Sequence, residues 1–153
     1  MNPNGKTRRR LRFAVRGSSI HGKGVFALRR IKKGERIVEY KGERISHALA
    51  DERHGGDDPH TMLFIVDRKT VIDATRDGNS ARWINHSCAP NCETDEESGR
   101  IYIEARRTIL PGEELTYDYK LTVEERLTPK LKAANPCYCG ARNCRRTLLV
   151  PRR

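Results

Sequence analysis

The chain has 153 residues, a formal net charge of +11, 33% charged and 36% hydrophobic residues. That length suits one domain with its own core, and apolar runs such as Met62–Val66 argue against a wholly disordered chain. No stretch approaches the roughly 20 apolar residues of a membrane helix, and no apolar segment follows the basic N-terminal residues, so neither a span nor a secretory leader is expected.

Residues 1–10 read as a flexible basic arm. Further basic clusters at Arg29–Lys33, Arg145-Arg146 and Arg152-Arg153 join Lys6–Arg10. Such a field favours nucleic acid or acidic surfaces, or is simply a solvated face, since no nucleic-acid motif accompanies it. Leu11–Arg16 alternates apolar and basic residues, as a half-buried strand does. Val25–Leu28, Arg36–Tyr40, Met62–Val66, Thr70–Asp73, Arg100–Glu104 and Leu115–Tyr117 are further strand candidates, punctuated by Gly, Pro, Asp and Asn. Ser46–His54 is the clearest helix candidate, with Ser46 as N-cap. Asn79–Ile84 and Val123–Leu127 read as short helical turns, the second in a linker ending at Asn135-Pro136. The fold class expected is mainly β with short helices.

One internal echo stands out. Ala27, Arg29, Ile31, Gly34 and Glu35 recur as Ala105, Arg107, Ile109, Gly112 and Glu113 at identical offsets. This describes two strand–turn–strand units, with Gly34 and Gly112 supplying a turn conformation that disfavours a Cβ. A second pattern misleads. Gly22-Lys23-Gly24-Val25-Phe26-Ala27 fits a dinucleotide fingerprint, with Glu43 about 20 residues on. The helix such a site needs is broken by Gly34-Glu35, so a nucleotide-binding crossover is rejected.

Three constellations carry chemistry. Cys137, Cys139 and Cys144 set three soft thiolates within a short segment, which suits tetrahedral zinc; buried unliganded cysteines are the bland alternative. A fourth ligand must come from elsewhere, and the remaining cysteines are Cys88 and Cys92. An odd total of five argues against a complete disulfide framework. Arg82–Cys92 interleaves polar groups with apolar ones; Asn85 and His86 there fit a satisfied buried pair, and Trp83 a core residue. Glu114–Tyr119 places Tyr117 and Tyr119 on one strand face, a packed aromatic pair at its blandest.

In order and wording these segments resemble the SET family of protein-lysine methyltransferases. The resemblance runs from about Arg12 to Leu149 through His21–Phe26, Glu39–Glu43, Val71–Thr75, Gly78-Asn79, Arg82–Asn91 and Gly112–Tyr119, to the cysteine tail called post-SET. It implies a compact fold of small curved sheets with a C-terminal pseudoknot-like threading. Residues 11–120 would form the SET domain, 121–136 a linker and 137–153 the zinc-binding tail. It implies S-adenosylmethionine as cofactor, held by His21, Gly22, Lys23, Gly24, Arg82, Asn85, His86 and Tyr119, with Leu148 or a neighbour over the adenine. It implies Tyr119 as the catalytic tyrosine and Tyr117 as the position limiting how many methyl groups are added. Met62, Trp83 and Tyr117 would line the lysine channel, and Met62 stands where many relatives carry a tyrosine. Cys88, with Cys137, Cys139 and Cys144, matches the family's zinc ligands.

The implied partner is a protein with an accessible lysine, a histone being one candidate. The lack of a recognisable leader or span sets a cytoplasmic expectation, with nuclear and secreted-effector placements left open. The alternative is a catalytically weak SET-like module that binds nucleic acid or protein. Asp51-Glu52, Asp57-Asp58 and Asp95-Glu96-Glu97 are the acidic stretches that a basic substrate would meet, unless they are solvated loops.

Overall fold

The computed structural model describes residues 11–55, 62–123 and 125–151; the basic arm, Asp57-Asp58 and Arg152-Arg153 lie outside them. Ten short strands form four small sheets. β1 (Phe13–Gly17) pairs antiparallel with β2 (Lys23–Ala27). β3 (Arg36–Glu39), β9 (Arg100–Ala105) and β8 (Cys92–Glu97) make an antiparallel sheet in that order. β4 (Glu43–Ile45), β6 (Val71–Asp73) and β5 (Leu63–Ile65) make another, with β6 central and fully buried. β7 (Asn85–His86) and β10 (Thr116–Tyr117) pair in parallel, Thr116 opposite Asn85 and Tyr117 opposite His86. The core is built from Val25, Ile31, Ile37, Ile72, Ile84, Ile103, Ile109 and Leu115. Among the described residues no helix is long and apolar enough to cross a membrane.

α1 (His47–His54) follows the expected cap: Ser46 Oγ accepts from the Leu49 N–H at 3.1 Å. The helix buries only Ala50, which with Leu49 packs on Ile45, Val71 and Leu63. Its last turn adds a polar fastening. Arg53 meets Glu43 at 2.9 Å and Asp73 at 3.4 Å, and His54 Nε2 lies 2.9 Å from Asp73 Oδ2. The Asp73 side chain is completely buried. Burial alone would raise its pKa, but hydrogen bonds from Thr75 and His54 outweigh that and hold it down to about 2.

The internal echo becomes a local two-fold arrangement. Ile31 and Ile109 exchange both backbone hydrogen bonds, at 2.9 and 2.8 Å. The Ala27 N–H donates to Glu113 O, and its counterpart Ala105 donates to Glu35 O. The Gly34 N–H donates to Ala105 O, and Gly112 to Ala27 O. Both glycines take positive φ, +83° and +89°, a region that disfavours a Cβ. Each unit satisfies the main chain of the other.

The helical turn expected at 123–127 is absent from the described residues there. The chain instead forms α2 at Pro129–Ala134. Thr128 caps it, accepting from the Leu131 N–H at 3.2 Å, and Pro129 occupies its first turn, where a missing N–H costs nothing. Residues 80–83 form a 3-10 turn within the expected 79–84 segment. β4, β7 and β8 had no expectation: the first two are very short, and β8 reads as a polar loop because five of its six residues are exposed.

Candidate active site and metal centre

Two concavities open on either side of Tyr119. The smaller, of about 180 Å³, is lined by His21, Asn85, His86, Leu148 and the tail residues Pro136–Tyr138 among others. The larger, of about 680 Å³, lies between α1 and β5 on one wall and Tyr117–Thr122 on the other. Tyr119 is the one residue common to both linings among the described residues.

Tyr119 is held at two points. Its hydroxyl donates to Ile84 O at 2.5 Å, and its backbone N–H donates to His86 Nδ1 at 3.0 Å. Since Nδ1 accepts, the proton of a neutral imidazole sits on Nε2, which lies 3.4 Å from Cys88 Sγ. Burial keeps His86 neutral, lowering its pKa to about 4 despite Asp118. Asp118 is engaged by Arg145 at 2.8 and 3.0 Å, which fastens the tail to the strand segment carrying both tyrosines.

Tyr117 packs on Tyr119 with ring centroids 4.9 Å apart. A third tyrosine joins them. Tyr40 is buried against Phe64, and no protein group among the described residues hydrogen-bonds its hydroxyl. Burial pushes the pKa of all three upward; Asp73 adds to Tyr40, and Tyr40 adds to Tyr117 and Tyr119. The hydroxyls therefore stay protonated near neutrality and cannot serve as general bases. Tyr40 was within a quoted motif but had no role assigned. The signal was present in its setting, a tyrosine at the end of β3, yet only the fold turns it toward Tyr117.

Four sulfurs converge beside this site. The Sγ atoms of Cys88, Cys137, Cys139 and Cys144 all lie within 4.8 Å of one another, a set suited to a tetrahedral metal ion. Burial raises the Cys139 pKa, but the backbone N–H groups of Cys88 and Ala141 with the Cys144 and Cys137 thiols together lower it, favouring a thiolate. Cys92 stays apart, and burial raises its thiol to about 12. It stands at the start of β8.

Other expected residues sit near rather than in these cavities. Lys23 Nζ and Arg82 Cζ lie 4.8 and 4.9 Å from the Trp83 ring centre. Trp83 and Met62 pack partly buried on the core and line neither cavity. Gly22 takes a positive φ of +42°, and a Cβ on Gly24 would meet the Glu114 carboxylate at 2.5 Å. Asp51 lines the larger cavity, whereas Asp95 and Glu97 are occupied by Arg36.

Residues 22–120 match the SET domain family model. The chain belongs to the SET-domain family. It is 46% identical over 138 residues to human histone-lysine N-methyltransferase 2B, covering 86% of this chain and 5% of that protein. It is 41% identical over 149 residues to histone-lysine N-methyltransferase SETD1B of Xenopus tropicalis, covering 92% of this chain and 7% of that one. It is 43% identical over 139 residues to the H3 lysine-4 specific histone-lysine N-methyltransferase of Schizosaccharomyces pombe, with 84% and 14% covered. The chain thus spans only a small fraction of these relatives.

Proposed function

We propose that this chain transfers a methyl group from S-adenosylmethionine to a lysine side chain of a protein, a histone tail being the first candidate. The single observation that carries the reading is Tyr119, which stands between a small cavity and a long cleft and faces both. Two reactants that meet only at one point need such a wall. The relatives' names support the substrate class.

When bound, the cofactor supplies an activated methyl on a sulfonium. The chain's residues do the rest by positioning and desolvation. His21, Asn85, His86 and Leu148 would hold the cofactor in the small cavity, with the 22–24 loop and Arg82 behind them. The substrate amine must arrive neutral, and for a free lysine at pH 7 deprotonation costs roughly 4–5 kcal/mol. A cleft walled by Phe64, Tyr117 and Tyr119 disfavours the ammonium and sets tyrosine hydroxyls beside the amine. Tyr40 stands behind this wall, its buried ring packed on Phe64, and Met62 brings no hydroxyl. Tyr117 limits the room beside the amine, which favours monomethyl product.

Cys88, Cys137, Cys139 and Cys144 would hold one structural zinc ion, pinning the 137–153 tail to the 11–120 body across the 121–136 linker. Arg29 and Arg145 make ion pairs within the chain, with Glu35 and Asp118. They give no support to nucleic-acid binding.

Labelled methyl transfer to purified histones and to a cell lysate tests the reading. Wild type should label lysine, and Tyr119→Phe should fall by about two orders of magnitude, as loss of a positioned hydroxyl does. Absence of labelled lysine in both mixtures, with cofactor bound, would refute it.

A further inference from the structure

Behind the small cavity lies a carboxylate that the proposed reaction has not used. Glu114 lies two residues before β10, and its backbone bridges antiparallel to Phe26 of β2. Both its oxygens lie close to Ser18 Oγ, at 2.7 and 2.9 Å, and Asn85 Nδ2 donates to it at 2.9 Å. No lysine, arginine or histidine pairs with Glu114 among the described residues. Gly24 is shaped around it, since a Cβ there would strike Oε2.

The surroundings of Asn85 Nδ2 are rich in acceptors. Ser18 Oγ lies at 3.2 Å, His21 O at 3.2 Å, Lys23 O at 2.9 Å and Glu114 Oε2 at 2.9 Å. An amide nitrogen carries two hydrogens and cannot serve all four; Ser18 Oγ also accepts from the Ile20 N–H at 3.0 Å. The Ser18 hydroxyl has only one proton, and Glu114 takes it. A part-buried carboxylate held by neutral donors, with no cationic side chain beside it, is suited to a cation. It lies against His21 and Asn85, which line the small cavity.

We propose that Glu114 is the counter-charge for the ammonium of the cofactor's amino-acid end, acting as a positioning residue through Asn85 and the 18–24 loop. The proposal rests on the methyltransferase reading. Its chemistry is specific: a ligand carrying an α-ammonium benefits, and one lacking it does not.

The test uses two probes on the whole chain, S-adenosylhomocysteine and 5′-methylthioadenosine, which share the nucleoside and sulfur but differ in the amino-acid end. Calorimetry should show Glu114→Gln binding S-adenosylhomocysteine on the order of tenfold more weakly, the scale of one hydrogen bond to a charged group. Binding of methylthioadenosine and the melting temperature should stay as in wild type. Glu114→Asp should restore part of the lost affinity. Unchanged S-adenosylhomocysteine binding in Glu114→Gln would overturn the proposal. So would an equal loss for both probes with a lowered melting temperature, which would make Glu114 a structural post only. Failure of wild type to bind either probe would instead overturn the methyltransferase reading beneath it.

Discussion

Tyr40 shows how one atom can be kept free at a cost. Its hydroxyl is buried in contact with aromatic neighbours and without a protein partner among the described residues. A buried polar group left unpaired destabilises by about 1–3 kcal/mol. Tyr40→Phe should therefore leave the fold as stable as before, or raise it by about 1 kcal/mol, while turnover falls. Urea unfolding and steady-state kinetics on the same preparation check this pair of outcomes. A drop in stability would mean that the hydroxyl is satisfied within the free protein. Sequence reasoning named Tyr117 and Tyr119 through their motif; the rings do meet, although β10 ends at Tyr117 and Tyr119 lies beyond the strand. Tyr40 and Glu114 escaped it, because their meaning depends on partners distant in sequence. The shape of Gly24 points to Glu114 only once the two are brought together.

At the level of elements, the cysteine tail and the tyrosine strand are joined by short polar links. Tyr119 reaches His86, and His86 reaches Cys88, one of the four converging sulfurs. Loss of a metal ion from these four sulfurs would thus affect more than the tail. Cys139→Ser, or chelation of the wild type, should release one zinc ion per chain and weaken cofactor binding along with turnover; structural zinc supplies on the order of 10 kcal/mol of folding free energy. Elemental analysis beside calorimetry reads both. A fully active, reduced preparation without zinc would sink the assignment. The cluster was legible from close spacing, with Cys88 chosen over Cys92 by family resemblance. The Cys92 thiol lies buried at the start of β8, outside the converging sulfurs.

The cleft wall has a different fastening. α1 contributes His47, Ala50 and Asp51 to the larger cavity, yet it is tied down through Arg53, His54 and the buried Asp73. The Asp73 pKa is held near 2, below the ordinary 3.8. A depressed carboxyl adds stability that is complete above the unfolded value and is lost as pH falls through the folded one. The wild type should therefore lose on the order of 2 kcal/mol between about pH 4 and pH 2. Asp73→Asn should be less stable at pH 7 and show a flatter profile across that window. Parallel pH profiles for the two proteins would place the acid sensitivity elsewhere. The helix itself was legible from Ser46 and its capped start. Its anchor was not, because a helix with a single buried residue gives no periodic signal.

Across the whole molecule, the two glycine turns offer a matched pair. Gly34 and Gly112 share a positive φ, and no atom lies within 4 Å of a Cβ added to either. Alanine at each should cost backbone strain alone, about 1 kcal/mol. Equal shifts in unfolding midpoint are expected, and clearly unequal ones would show that the two turns do not carry equivalent loads. The β-rich architecture was readable from short apolar runs and their punctuation. The polar strand β8 was not, since hydrophobic alternation is absent from an exposed edge.

That paired joint also fixes when the site can exist. The segments that exchange hydrogen bonds there are separated by about half the chain, and what leaves the joint on one side is Gly24 and its loop, on the other Glu114 and the strand to Tyr119. A chain emerging from the ribosome holds only one half of this dovetail until residues beyond Glu113 appear. Contacts so distant in sequence close slowly. The 22–24 loop and the segment leading to Tyr119 are therefore expected to complete their structure together rather than one before the other.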